Sequence, residues 1–269
     1  MQLTTLNLGI FLSYWVDYGF TQTYTASFAW RIPVILQCIF LLPMLFLLLI
    51  VPETPRWLAA HNKLDDSLAV LKRLHNEKMD ENAILNLHSY IIQTCHAEQE
   101  IGAGKWGDLL RNDNIQSQRR FLIACGIQIF QQLGGINALV YYSPSLFLSI
   151  GMSSHLSALM SGFLQTWFFI ASFIPWFLLD RVGRRPLLLS MISVMAAMMI
   201  VQTCLVYNVD HDTSIAKSCG IGAAAMLFVY QGAFTIGFQA TVWVYPSEIL
   251  PLRLRQRGSS VSTACNWIM

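Results

Sequence analysis

The chain has 269 residues, of which 55% are hydrophobic and only 12% charged, with a mean hydropathy of +0.49. A soluble domain carries about 25% charged residues, so much of the expected charge is missing and a water-soluble globule is excluded. A net charge of +2, without any basic-aromatic patch, also argues against a nucleic-acid partner.

The missing charge is concentrated in stretches of about 20 residues, the length at which a helix crosses a hydrocarbon core of about 30 Å. In chain order the apolar spans are 3–20, 32–51, 121–143, 156–179, 187–207 and 221–246, and a seventh opens near 258 and is cut off at Met269. A lipid bilayer is therefore the expected surround. Residues 56–118 are polar, with mixed charges and helical periodicity, and predict short amphipathic helices outside the membrane. The first 30 residues lack a basic n-region, so no signal peptide is expected. Cys38, Cys95, Cys125, Cys204, Cys219 and Cys265 lie scattered, mostly in apolar runs, with no CxxC or ligand spacing. They are expected to be buried small side chains rather than metal ligands or disulfide partners, and no cofactor is called for.

Basic residues orient the spans. If these alternate in direction, Arg56, Lys63, Lys72, Arg73, Lys78, Lys105, Arg111, Arg119, Arg120, Arg181, Arg184, Arg185, Arg253, Arg255 and Arg257 all fall on one side, leaving Arg31 and Lys217 on the other. An excess of Lys and Arg marks the cytoplasmic face. Inside 121–143, 156–179, 187–207 and 221–246 there is no Asp, Glu, Lys or Arg, and Asp17 is the single acid within a span. Intramembrane charges usually mark ion paths, so their absence predicts a neutral substrate for this part of the molecule.

Polar groups at membrane depth are few and clustered. Gln131, Gln132 and Asn137 flank Gly134-Gly135 and precede Tyr141 and Tyr142. A buried amide left unpaired costs about 1–3 kcal/mol, and sugar hydroxyls, which donate and accept, are natural partners. On a regular helix Gln131 and Asn137 would point about 120° apart, but the glycine pair can loosen the helix and let them converge. Hydrogen bonding between helices is the competing reading. Trp243 near the end of its span reads by position as an interfacial anchor, and as a flat wall for a sugar ring in the alternative. Asn266-Trp267 carries the same ambiguity. At the basic ends of spans lie Glu53 and Arg56, Asp180 with Arg184 and Arg185, and Glu248 with Arg253, Arg255 and Arg257. An acid beside two arginines at span ends predicts interhelix ion pairs, because the guanidinium fork meets a carboxylate bidentately.

PETPRWL at 52–58, QQLGGINALVYYS at 131–143, DRVGRR at 180–185, YPSEILPLRLRQRG at 245–258 and NW at 266–267 together resemble the sugar-porter family of the major facilitator superfamily, in its fungal hexose and general sugar transporter branch. The resemblance covers essentially the whole chain. It implies an all-α membrane protein holding about helices five to ten of twelve and the start of eleven. Residues 1–51 would be the last two helices of the N-terminal half, 52–120 a cytoplasmic helical linker, and 121–269 an incomplete C-terminal half, with Met1 the start of a truncated fragment. It assigns substrate binding to Gln131, Gln132, Asn137, Trp243, Asn266 and Trp267, to Gln165 more loosely, and a gate to Tyr141 and Tyr142. The charges Glu53, Arg56, Asp180, Arg184, Arg185, Glu248 and Arg255 would form the cytoplasmic network. In place of the family's common Gly-Pro-rich break before the tryptophan stands Gly237-Phe238-Gln239-Ala240-Thr241-Val242.

The implied activity of the intact protein is transport of a neutral sugar, a hexose by expectation, by alternating access in the plasma membrane. A proton is a candidate coupling ion. A polyol transporter and a transport-incompetent sugar sensor are the alternatives. An enzyme is not expected, since no Ser-His pair or paired acid lies within a span, and His155 and His211 read as exposed loop residues.

Overall fold

A computed structural model describes residues 2–23, 28–75, 80–102, 106–111, 113–211 and 215–268. Lys78 and Lys105, counted above on the basic side, lie outside the described residues, as do Met1 and Met269. Among the described residues the regular elements are all helical. Two long helices, α1 (Gln2–Thr23) and α2 (Phe28–Ile50), precede a polar group of three, α3 (Pro55–Ala60), α4 (Leu64–His75) and α5 (Glu81–Ile101). A 3-10 turn at Trp106–Leu109 leads into α6 (Ser117–Leu133), α7 (Ile136–Tyr141), α8 (Ser143–Ser149) and α9 (Ser154–Ala171). Then follow α10 (Ile174–Val182), α11 (Arg184–Asp210), α12 (Ala216–Phe234), a π-helical turn (Thr235–Gln239), α13 (Ala240–Ile249) and α14 (Arg255–Ile268).

Four segments are long and apolar enough to cross a membrane: Phe28–Ile50, Ser117–Tyr141, Arg184–Asp210 and Ala216–Ile249. A fifth is the pair α9–α10, bent by 44°. The span expected straight over 156–179 is therefore broken. Pro175 opens α10, and its ring cannot share space with the carbonyl four residues earlier, at Ala171. The span expected at 3–20 forms a 22-residue helix but does not reach the same apolarity. The reason is a polar stripe. Thr4, Asn7, Tyr14 and Tyr18 recur at helical spacing on α1. Trp176 Nε1 donates to Thr4 Oγ1 at 2.9 Å, Tyr14 OH to the Ala158 carbonyl at 3.1 Å, and neighbouring Trp15 Nε1 to Thr166 Oγ1 at 3.0 Å. Phe11 stacks on Phe169 within the same stripe, at 5.7 Å between centroids. α1 thus lies along α9 and α10 by polar as well as apolar contact.

α2 is apolar apart from Arg31 and Gln37 and has no buried residue among those described, as fits a membrane span. The apolar core lies among α7, α8, α9, α11, α12, the π-turn and α13, around Phe147, Leu164, Phe168, Leu227, Phe234 and Val242. The polar group has a small core of its own, with Leu58 and Ala59 of α3 and Val70 and Leu71 of α4 buried. Thr54 caps α3 by accepting from the Trp57 amide at 3.3 Å, with Pro55 in the first turn, which is what the PETPRW segment encodes. Buried Ser67 donates to the Pro55 carbonyl at 2.8 Å and holds α4 on α3. Lys72 Nζ meets Glu81 Oε1 at 2.7 Å, and this bond, reinforced by the lysine charge, holds the Glu81 carboxyl below its ordinary pKa.

Two expectations are corrected. Of the cysteines, Cys95, Cys125 and Cys219 are buried, but Cys38 and Cys204 are exposed and Cys265 is intermediate. Residues inside an apolar span face lipid as readily as protein. His155 is exposed but stands in the first turn of α9 rather than in a loop, with Nε2 3.4 Å from the Tyr18 hydroxyl.

Close helix contact depends on glycine at Gly237, where an added Cβ would overlap the side chain of Met191 on α11. At Gly9 an added Cβ meets nothing within 4 Å. Overpacking costs about 1–3 kcal/mol. Gly237→Leu is expected to lower the thermal unfolding midpoint of the detergent-solubilised protein by several degrees, whereas Gly9→Ala leaves it unchanged. An equal response from both variants would show that the α11 contact is not tight.

Candidate functional site

α6 carries amides at Gln128, Gln131 and Gln132, one helical turn apart and on one face. The helix stops at Gly134, and Gly135 adopts φ +77°, a left-handed conformation open to glycine at little cost. The Tyr230 hydroxyl on α12 donates to the Gly134 carbonyl freed by this break. The chain then restarts as α7, which brings Asn137 back over α6.

The result is one connected cluster. Asn137 Nδ2 donates to Gln132 Oε1 at 2.7 Å, and Gln132 Nε2 donates to Asn266 Oδ1 on α14 at 2.8 Å. Asn266 Nδ2 in turn reaches Gln128 Oε1 at 2.8 Å and Gln131 Oε1 at 3.2 Å. Gln128 Nε2 finally donates to the Val242 carbonyl at 3.1 Å, next to Trp243. Exposure rises along the cluster. Gln128 and Asn266 are buried at 1% and 2%, Gln131 is buried, Gln132 is half-buried and Asn137 is exposed. An amide has two donors and an acceptor with two lone pairs. Among the described residues, Asn137 spends one N–H, and Gln132 one N–H and one lone pair. Both keep capacity for a hydroxylated ligand at the exposed end.

The other named residues are placed differently. Gln165 is buried on α9 and donates to the Val140 carbonyl at 3.3 Å, so it supports α7 from behind and is not joined to the amide cluster. Tyr141 and Tyr142 are exposed at the end of α7. Trp243 is half-buried on α13, and Trp267 is exposed beside Asn266. Gln128 and Tyr230 were not picked out from sequence. The i, i+3, i+4 spacing of 128, 131 and 132 was a readable signal for the first, whereas nothing local marks the second.

At the basic end of the helices, Arg184 grips Glu248 with two bonds, Nε to Oε2 at 3.1 Å and Nη2 to Oε1 at 2.9 Å, while Nη1 lies 3.3 Å from Asp180 Oδ1. This joins α10, α11 and α13. Arg120 Nη1 donates to the Ile249 carbonyl at 3.1 Å, at the C-terminal end of α13. Together with Gln116, Arg119 and Tyr245, Arg120 and Glu248 line a cavity of about 450 Å³. The other charges stand apart. Arg185, Arg255 and Glu53 are exposed and have no ion pair among the described residues, and Arg56 sits on α3. Arg253 instead meets Asp108 at 3.5 Å, and Arg257 lies over the Trp106 ring at 5.2 Å. Among the described residues Asp180, Arg184 and Glu248 therefore form one network across two of the three span ends, while Arg185, Arg255 and Glu53 stand outside it.

A family model described as "Sugar (and other) transporter" matches residues 1–269. The chain is 32% identical over 264 residues to the MFS-type transporter oryC of Aspergillus oryzae, matching 97% of this chain and 48% of that protein. It is 29% identical over 271 residues to the sugar transporter STL1 of Saccharomyces cerevisiae, with 98% and 45% covered. Among solved structures, the proton:xylose symporter XylE bound to 6-bromo-6-deoxy-D-glucose superposes with a TM-score of 0.72 at 24% identity, covering 99% of this chain and 53% of that one. The chain thus spans about half the length of the relatives it matches, all of them transporters rather than enzymes. The helix order, the apolar spans and the matched length agree, and the chain belongs to the sugar (and other) transporter family of the major facilitator superfamily, a family of multi-pass integral membrane proteins.

Proposed function

We propose that the chain is part of a carrier that moves a neutral sugar, a hexose by preference, across the plasma membrane by alternating access. Residues 1–51 contribute two helices to one half of the carrier and 121–269 contribute to the other. Residues 52–120 link them on the cytoplasmic side, where the basic residues lie. The observation that carries this reading is the amide cluster, graded from a buried floor at Gln128 and Asn266 to unsatisfied capacity at Gln132 and Asn137. A cluster serving only to join helices has no need of an exposed, partly bonded end. The printed names of STL1 and of the xylose symporter add support for a sugar. Tyr141 and Tyr142 stand where they can close over Asn137, and Trp243 supplies an apolar face beside the Val242 carbonyl that anchors Gln128.

Uptake of labelled glucose, measured with the complete open reading frame encoding this chain in a transporter-null host, tests the assignment. Gln132→Ala removes two bonds of the cluster, and is expected to raise KM about 2- to 13-fold, the equivalent of about 0.5–1.5 kcal/mol, with normal surface expression. Asn137→Ala is expected to do the same. Unchanged kinetics in both variants would reduce the cluster to a contact between helices.

The Arg184–Glu248 pair acts in this reading as a cytoplasmic latch between α11 and α13. Glu248→Gln is expected to slow uptake several-fold while substrate binding from the cytoplasmic side persists, and Arg184→Gln to match it. The double variant should be no slower than either single one, because a bidentate pair is lost only once. Losses that multiply would show that the two charges act separately.

A further inference from the structure

One member of the α1 polar stripe differs from the rest. Asn7 Nδ2 donates to Gln239 Oε1 at 2.8 Å, and Gln239 Nε2 returns a bond to Asn7 Oδ1 at 2.6 Å. Asn7 has no exposed surface and Gln239 is 7% exposed, so the two primary amides form a closed, buried dimer between residues 232 positions apart. The other α1 bonds described above end on α9 and α10. This one ends on the π-turn.

The placement of Gln239 gives the pair its meaning. Gln239 closes the π-turn, and Trp243 lies four residues further on the same helix face. The tie therefore sits one turn from the apolar wall assigned to substrate. Its two ends belong to the two halves of the carrier, so the inference rests on the transport reading. The seam from Thr4 to Tyr18 follows the length of α9 and is suited to persist as a pivot. The π-turn is suited to move, because i→i+5 bonding is rarer and poorer than that of the α-helix and such bulges recur at functional sites.

We propose that the Asn7–Gln239 pair is a crossbar between the two halves, closed in the structure described here and parted once in each transport cycle. While closed, it satisfies both amides away from water and ties the turn that precedes Trp243 to α1. When it parts, two donors and two acceptors open to the passage and admit water beside the tryptophan. Gln239 is in this sense a positioning residue, acting on the wall through the π-turn.

The test uses the complete open reading frame with Asn7→Cys and Gln239→Cys, bridged by a short bis-thiosulfonate that a reductant removes. Bridging is followed by mass, and wild type treated alike controls for the native cysteines. Sugar uptake is expected to fall at least tenfold on bridging and to return with reductant, an outcome that a static contact would not give. Uptake at the unbridged rate in the bridged protein overturns the crossbar. Should the cysteine pair fail to reach the membrane or to bridge, Asn7→Leu, Gln239→Leu and the double variant decide. Each single variant is expected to alter the uptake rate several-fold with the double no worse, whereas effects that multiply overturn the pairing. Wild type is measured in the same cells. Absence of uptake there rejects the transport reading and the crossbar with it, while uptake by wild type and bridged protein alike rejects the crossbar alone.

Discussion

A primary amide placed among apolar side chains has few possible partners, and in this chain the partner is usually another amide or a carbonyl that a broken helix has released. Gln128, Gln131 and Gln132 meet Asn266, Asn137 meets Gln132, Asn7 meets Gln239, and Gln165 meets the Val140 carbonyl. An unmade bond inside such a region costs about 1–3 kcal/mol, so these meetings fix which helix faces oppose one another. The cluster orients α6 against α14, and the Asn7 pair orients α1 against the π-turn. Among the described residues Gln231 on α12 is fully buried with neither amide atom partnered, and the amide oxygens of Gln165 and Gln202 also lack a partner.

Several of these polar meetings depend on an interruption of regular helix. The Gly134-Gly135 break turns Asn137 back over Gln132, and its freed carbonyl is taken by Tyr230. The bend at Pro175 separates α10 from α9 and precedes Asp180, which then shares Arg184 with Glu248. The π-turn ends on Gln239. Regular helices supply the spans, and the departures from regularity supply the chemistry. An apolar stretch needs only length and composition to cross a membrane, whereas a site needs side chains from distant segments brought to one point.

That difference explains what was legible in the sequence. Length and apolarity located most spans, and the motifs located the family, because both are local properties. Gly134-Gly135 was legible as a break, since glycine pairs loosen helices wherever they occur. The polarity of α1 was underestimated, because Thr4, Asn7 and Tyr14 are individually mild and matter only as a stripe against α9. The charges at span ends looked equivalent, yet Arg184 has acids facing it from two helices, whereas Arg185 has no ion pair among the described residues. No local pattern distinguishes it from Arg185, since which arginine points inward is decided by how α10 and α11 dock. The π-turn was invisible for a similar reason: TIGFQ contains no proline, and the close packing of Gly237 on Met191 joins segments far apart in sequence.

The π-turn also acts as a phase shifter. Compared with uninterrupted α-helix, it holds one additional residue, and each residue of α-helix turns the following segment by about 100°. Everything downstream inherits that rotation: Val242, whose carbonyl receives Gln128, Trp243, and Glu248, which meets Arg184. Were the turn to relax to α-helical bonding with its residue count unchanged, the segment beyond it would rotate by about 100° and all three would swing away from their partners together, though none of them had been altered. Removing one residue along with the π bonding would restore the phase, so at this point the residue count and the bonding pattern are tied to each other.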